Sequence, residues 1–174
     1  MANWRATASM PNVPLPGTTI AERAAMIETI RAYARSDAGL LGPQSMSESI
    51  LEAMGQTERH RFTPGASCSV AYADRPVSIG KEQTISQPLI IALMTHFAEV
   101  KFDHTVLEVG TGSGYQAAIL ARLVRKVCTV EIVPPLAEGA AYTLATQAPG
   151  VVYTGDPNFT GPTANGNLAG FRTN

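Results

Sequence analysis

Three glycines, Gly110, Gly112 and Gly114, alternate with other residues directly after an apolar run, and glycine in such a turn lets the backbone approach a ligand closely. A dinucleotide-binding loop has the spacing G-x-G-x-x-G and places a pyrophosphate at the N-terminus of the following helix. In this chain Tyr115 occupies the position of that third glycine, and its bulk would oppose close packing of helix on strand. The spacing therefore disfavours a pyrophosphate ligand. Taken alone, the run is also compatible with a purely structural turn.

Two acidic residues follow the glycine run at the ends of predicted strands. Glu131 comes about twenty residues after the loop, where a carboxylate can accept hydrogen bonds from both hydroxyls of a ribose. Sites for NAD and for S-adenosylmethionine share this arrangement, and the alternative is an ordinary solvated carboxylate. Asp156 follows the third predicted strand, where it could cap a turn or contact an adenine ring.

The composition is that of one soluble globular domain, with 174 residues, 45% of them hydrophobic. The net charge of -1 produces no overall field, so we expect neither nucleic acid nor a membrane as partner. Cys68 and Cys128 are too few for a disulfide framework, and each lies in an apolar stretch that favours a buried free thiol. Together with the absence of an apolar leader, this predicts a cytoplasmic protein.

The elements that must position these residues alternate between strand and helix. Apolar runs predict strands at residues 105–109, 127–130 and 151–154, and helical periodicity predicts helices at 115–124 and 136–147. This alternation is typical of the α/β class with a parallel, doubly wound sheet.

Amphipathic helices are predicted ahead of the sheet. Thr19 with Glu22, and Ser45 with Glu48, have capping-box spacing before apolar stripes, and the second helix should end at Gly55. Each pair therefore predicts the start of a helix that packs on a core.

The segment before the glycine run combines turns with a further helix. Residues 61–80 predict short strands and turns, while Pro88 suits the first position of a helix that is apolar on nearly every side and so largely buried. The predicted organisation is an irregular arm at 1–17, a domain at 18–156 with a helical part at 18–100 and a cofactor-binding βαβαβ part at 101–156, and an irregular tail at 157–174.

The most specific stretch of the chain is IGKEQTISQP at residues 79–88, and with its surroundings it resembles the protein-L-isoaspartate O-methyltransferase family. The motifs run in the family's order between about residue 45 and residue 156. They are ERHRFTP at 58–64, DRP at 74–76, IGKEQTISQP at 79–88, ALM at 92–94, LEVGTGSGYQAA at 107–118 and VEI at 130–132.

The resemblance implies a Rossmann-like class I S-adenosylmethionine-dependent methyltransferase fold. It further implies a repair enzyme that transfers a methyl group from S-adenosylmethionine to the α-carboxylate of L-isoaspartyl residues in damaged proteins, leaving S-adenosylhomocysteine. Isoaspartyl-containing peptides and proteins would be the substrates. A carboxylate is already a nucleophile at neutral pH and a sulfonium is a good leaving group, so positioning dominates and no metal is expected.

The same resemblance assigns roles to individual residues. Ser86 would be catalytic, its hydroxyl holding the carboxylate in line with the methyl group, and Thr84 and Ile85 would flank the substrate. The alternative makes Ser86 only an N-cap of the helix that opens at Pro88. The cofactor-binding residues would be Gly110, Thr111, Gly112 and Ser113 beside the methionine and ribose, Glu131 at the ribose hydroxyls, and Asp156 at the adenine, with Gln83 a weaker candidate.

The resemblance stops after Asp156, where the family continues with glycine and an apolar strand but this chain has Pro157. We therefore expect a fold incomplete at the C-terminal side of the sheet, with an open strand edge through which chains could pair. Two alternatives to an active repair enzyme follow. One is a catalytically impaired, truncated homologue that acts as a cofactor-binding or interaction module, and the other is a related carboxylate methyltransferase that acts on a modified peptide.

Overall fold

The computed structural model describes residues 16–36, 46–148 and 151–153, which form a mainly helical part and a parallel sheet with its connecting helices. The helical part contains α1 (Pro16–Ser36), α2 (Glu48–Gln56), a 3₁₀ turn (Arg59–Phe62), α3 (Cys68–Ala71), the strands β1 (Val77–Gly80) and β2 (Gln83–Ile85), and α4 (Pro88–Phe97). The sheet part contains β3 (Thr105–Val109), α5 (Tyr115–Leu120), β4 (Lys126–Val130), α6 (Pro134–Gln147) and β5 (Val151–Tyr153). Residues 1–15, 37–45, 149–150 and 154–174, and with them Ser45 and Asp156, lie outside the described residues.

Both predicted N-terminal helices are present, but their starts differ from the capping-box prediction. Helix α1 begins at Pro16, so Thr19 lies inside the helix. The N-cap of α2 is Ser47, whose side chain makes no capping hydrogen bond, and α2 continues through Gly55. The apolar stripes predicted the presence of these helices correctly, whereas the capping-box pairs did not predict where the helices begin. Burial of one apolar face supplies most helical stability in a folded protein.

Helix α4 begins at Pro88 as predicted, but the prediction that it is largely buried is wrong. Ile91 and Ala92 face the core, whereas Met94 and Phe97 are 47% and 58% exposed. One helical face packs on α1 and α2. Apolar composition alone therefore overstated the burial, since only residues spaced for that face reach the core.

The three strands form a parallel sheet in the order β3-β4-β5, which confirms the predicted α/β architecture. Helices α5 and α6 are the crossover connections. Thr105 pairs with Lys126 and Val109 with Val130, so the carboxyl ends of β3 and β4 lie level with each other. In open α/β sheets this end is where ligands bind.

The two faces of the sheet differ in burial. Val127 and Thr129 are almost fully buried on the face that α5 covers, because successive strand residues point to opposite sides. Leu107 and Val109, on the other face of β3, are 58% and 79% exposed. Among the described residues, no strand pairs with the outer edge of β3.

One hydrophobic core joins the helical part to the sheet part. Phe62 of the 3₁₀ turn packs on Tyr115 at the start of α5, with ring centroids 5.5 Å apart. Burial of each ring contributes about 1.5–3 kcal/mol. Cys68 and Cys128 are free thiols as predicted, but they are half-buried and not buried. Within the described part of the chain, no helix has the length and apolarity needed to span a membrane.

Candidate cofactor and substrate site

The glycine run forms the tight connection between β3 and α5. The amides of Gly110 and Thr111 both donate to the carbonyl of Val130, over 2.9 and 3.0 Å, and this ties the loop to the end of β4. Gly112 has φ of 56°, a backbone conformation that side chains disfavour. A Cβ added there would lie 3.4 Å from Cδ1 of Ile79, so the hairpin strand β1 lies directly against the loop.

Glu131 lies beneath this loop, 7% exposed, at the end of β4. Its Oε2 accepts from the amide of Gly112 over 2.7 Å, and its Oε1 accepts from the amide of Val133 over 2.9 Å. A carboxylate has about four acceptor positions, so capacity for ribose hydroxyls remains. The structure thus brings together Gly112 and Glu131, which sequence reasoning had linked by spacing alone. Ser113, also a predicted cofactor residue, follows in the same loop and is half-buried.

Gly114, the third glycine of the run, packs closely against a helix, although the bulk of the neighbouring Tyr115 was expected to oppose close packing. A Cβ at Gly114 would lie 2.9 Å from Cγ of Leu144, so here it is Gly114 that permits close packing of the loop against α6. Tyr115 instead turns into the core. In this loop the glycine that allows close packing on a helix is residue 114, whereas in a dinucleotide fingerprint it would be residue 115.

A hydrogen-bonded chain that sequence reasoning missed runs below the loop. The Thr111 and Thr129 hydroxyl oxygens are 2.7 Å apart, and the Thr129 hydroxyl donates to Glu108. Burial raises the pKa of Glu108 to about 7, opposed by the hydrogen bond from Thr129 and reinforced by the charge of Glu131. The available signal was an acidic residue inside an otherwise apolar strand, two positions before the first glycine.

Ser86 lies between β2 and α4, but the start of α4 is capped by Asp74 and Gln87 and not by Ser86. Asp74 accepts from the amide of Leu89 over 2.9 Å and from the side chain of Gln87 over 2.8 Å. Gln87 is the N-cap. The half-buried Ser86 side chain makes no hydrogen bond to any described residue, so the alternative that Ser86 serves only as an N-cap is wrong.

The two predicted substrate neighbours differ in orientation. Thr84 is exposed and pairs with Ser78 in the hairpin, whereas Ile85 is 5% exposed and its side chain belongs to the core. Of these two, only Thr84 has an exposed side chain. Among the described residues, no group of three or more histidine, cysteine or acidic side chains could hold a metal ion.

Comparison with known proteins identifies the source of this arrangement. Residues 42–159 match the family model described as Protein-L-isoaspartate(D-aspartate) O-methyltransferase (PCMT). The chain belongs to the protein-L-isoaspartate O-methyltransferase family. Residues 42–159 include every element from α2 to β5 but not α1, and every predicted site residue falls inside this family region.

Individual members of the family are similar to this chain over part of their length. It is 48% identical over 124 residues to protein-L-isoaspartate O-methyltransferase 2 of Syntrophobacter fumaroxidans, covering 71% of this chain and 50% of that protein. It is 49% identical over 119 residues to protein-L-isoaspartate O-methyltransferase 1 of Cupriavidus necator, covering 68% and 46%. The chain thus spans about half the length of these relatives.

Solved structures support the same fold. A protein-L-isoaspartate O-methyltransferase chain superposes with a TM-score of 0.62 at 23% identity, covering 80% of this chain and 45% of that one. A Plasmodium falciparum protein-L-isoaspartate O-methyltransferase, solved in complex with S-adenosyl-L-homocysteine, gives a TM-score of 0.58 at 20% identity, covering 75% and 61%. The predicted class I methyltransferase fold is confirmed at this level.

Proposed function

We propose that this chain carries the cofactor site and the catalytic segment of a protein-L-isoaspartate O-methyltransferase. The observation that carries the proposal is the contact between Gly112 and Glu131, with the β1 strand residue Ile79 lying against the same glycine. This contact supports the proposal because a carboxylate suited to ribose hydroxyls, the glycine loop and the hairpin that leads to Ser86 lie around one point. The substrates are isoaspartyl-containing peptides and proteins, and the location is cytoplasmic.

The residues of this end of the sheet suit S-adenosylmethionine. Gly110, Thr111, Gly112 and Ser113 provide backbone without bulky side chains beside the methionine and ribose, and Glu131 provides acceptors for the ribose hydroxyls. A Cβ added at Gly112 would lie against Ile79 of β1, in a backbone conformation that side chains disfavour. Asp156, assigned to the adenine, lies outside the described residues. The bound cofactor would supply an activated methyl group and accept the electron pair of its carbon–sulfur bond.

The contribution of the protein to this reaction is position. An α-carboxylate of an isoaspartyl residue is ionised at neutral pH and needs no general base. Ser86 has a hydroxyl free to donate to that carboxylate, which orients one oxygen toward the methyl carbon. Transfer of the methyl group to that oxygen, with the sulfur of the cofactor as leaving group, would give a methyl ester, which would close to a succinimide with loss of methanol. Hydrolysis of that ring returns part of the material as normal aspartate.

The decisive experiment measures calorimetric binding of S-adenosylhomocysteine to the full 174-residue chain and then methyl transfer to an isoaspartyl peptide on the same sample. A peptide of identical sequence with normal aspartate is the control. Binding with transfer only to the isoaspartyl peptide supports the proposal. A folded chain that binds no S-adenosylhomocysteine contradicts it, and binding without transfer would favour a cofactor-holding module.

Self-association is a second function that one observation favours. Leu107 and Val109 lie exposed on β3, whose outer edge has no partner strand among the described residues. Exposed apolar edge strands pair readily with other chains. Sedimentation should show a dimer or larger species that a Leu107→Lys substitution disperses, with Tyr142→Lys on exposed α6 as the control. A monomeric parent chain would exclude this function.

A further inference from the structure

Arg59 is a fully buried cation at the junction of the helical part and the sheet part, with 0% of its surface exposed. Its Nε donates to the carbonyl of Ala71 over 2.7 Å, and its Nη2 donates to the carbonyl of Ser86 over 2.8 Å. The guanidinium carbon lies 4.9 Å from the ring centroid of Tyr115. One side chain therefore touches α3, the Ser86 segment and the first residue of α5.

The charge of this side chain is poorly compensated. Among the ion pairs of the described residues, none involves Arg59. The Nη1 of Arg59 and the hydroxyl of Tyr115 make no hydrogen bond of normal geometry, although the two residues interact electrostatically. Burial lowers the pKa of Arg59, and Tyr115 and Asp74 oppose that shift, yet arginine retains its proton in proteins. A buried charge without a close partner is costly, so stability alone would favour an apolar residue here.

The three contacts explain why an arginine occupies this site. Its planar fork directs two N–H groups at two carbonyls while its face stacks on a ring, and a lysine ammonium cannot reproduce all three contacts together. Ser86 is the proposed catalytic serine, so the hydrogen bond from Arg59 to its carbonyl holds the backbone of that residue. Tyr115 directly follows Gly114, the last glycine of the cofactor loop. Arg59 thus connects the two halves of the candidate site through rigid contacts.

We propose that Arg59 is a positioning residue that holds the Ser86 backbone at a fixed distance from the glycine loop. The proposal rests on the function proposed above, because the distance it sets is the one between the substrate carboxylate and the transferred methyl group. Displacements of this kind lower turnover strongly while leaving ligand binding largely intact.

The test substitutes Arg59→Lys, with Arg61→Lys as the matched control, because Arg61 lies two residues away with 51% of its side chain exposed. We expect turnover of the isoaspartyl peptide to fall at least about tenfold in Arg59→Lys, with the dissociation constant of S-adenosylhomocysteine changed less than about threefold. The control should keep both values within about twofold of the parent. Parent-like turnover in Arg59→Lys would overturn the proposal.

A readout independent of activity separates this proposal from the proposed function. Amide NMR signals of Gln87, which shares a peptide bond with Ser86, and of Gly112 and Gly114 should shift together in Arg59→Lys and stay unchanged in the control. A shift at Gln87 without one at the glycines would overturn the coupling even if the parent chain proved inactive. If Arg59→Lys fails to fold, Tyr115→Leu tests the same link from the other end, and an unchanged Gln87 signal in it would refute the proposal.

Discussion

The amide of Gly112 donates a hydrogen bond to Oε2 of Glu131 over 2.7 Å, across the ends of two neighbouring parallel strands. Because of this hydrogen bond, the glycine loop and the Glu131 carboxylate hold each other in place. Oε1 binds the amide of Val133 at the start of α6 in the same way. A change at Glu131 should therefore affect both the shape of the glycine loop and its ligand.

Replacing the Glu131 carboxylate tests whether it supports both the glycine loop and the bound cofactor. Glu131→Gln exchanges one acceptor oxygen for an NH₂ group that faces a backbone donor, and a buried donor left unpaired costs about 1–3 kcal/mol. We expect S-adenosylhomocysteine binding measured by calorimetry to weaken at least about tenfold. Glu138→Gln, exposed on α6, is the control. Equal affinities in the two variants would remove Glu131 from the cofactor site.

Removal of the Ser86 hydroxyl should affect turnover more than binding. A hydrogen bond to a charged group contributes about 1.5–3 kcal/mol, so Ser86→Ala should lower the rate of methyl transfer by roughly ten- to a hundredfold. Calorimetry should show parent-like affinity for S-adenosylhomocysteine. Ser36→Ala, at the exposed end of α1, controls for the loss of a hydroxyl. Parent-like methyl transfer in Ser86→Ala would exclude the assigned role.

The packing of the glycine loop on α6 predicts a strong effect on stability. Gly114 has φ of 89°, and an added Cβ would lie 2.9 Å from Cγ of Leu144. We expect Gly114→Ala to lower the free energy of unfolding by about 1–3 kcal/mol. Gly139→Ala, inside α6 with nothing near the new Cβ, should raise it by up to about 1 kcal/mol. Urea unfolding of both variants measures the contrast, and equal effects would contradict it.

The raised pKa of Glu108 predicts how the free energy of unfolding depends on pH. Burial raises its pKa from 4.5 to about 7, so the folded state holds this proton more tightly than the unfolded state does. The resulting stability is fully present below about pH 4.5 and is lost as the pH rises through about 7. Glu108→Gln stays neutral, and between pH 5 and pH 8 it should gain up to about 3 kcal/mol relative to the parent. The exposed Glu52→Gln should track the parent across this range, whereas parallel curves for Glu108→Gln and the parent would refute the shift.

Local patterns predicted the sheet part closely, because each strand is a short apolar run bounded by a helix. Strand β3 spans Thr105–Val109 as predicted, and the glycine run follows it as the predicted connection to α5. The link between the loop and Glu131 was also predictable, since parallel strand ends meet at one edge. These features depend on contacts between neighbouring elements.

The missed features depend on contacts between distant residues. Arg59 and Ser86 are separated by 27 positions, and no periodicity indicates that the guanidinium of one would bind the carbonyl of the other. The burial of Ile85 follows from the register of a two-stranded hairpin that apolar content alone does not define. The exposed face of α4 reflects which neighbours pack on it, and composition carries no such information.

The strand order β3-β4-β5 follows the order of the chain, with each strand joined to the next by one helix. Each strand can therefore pair with its neighbour as it leaves the ribosome, without waiting for a later segment to insert between them. The cofactor loop and Glu131 follow two strands that are consecutive in the chain, and the hydrogen bonds that join them involve no residue beyond Val133. The candidate ribose site is therefore encoded in one short continuous segment of the chain.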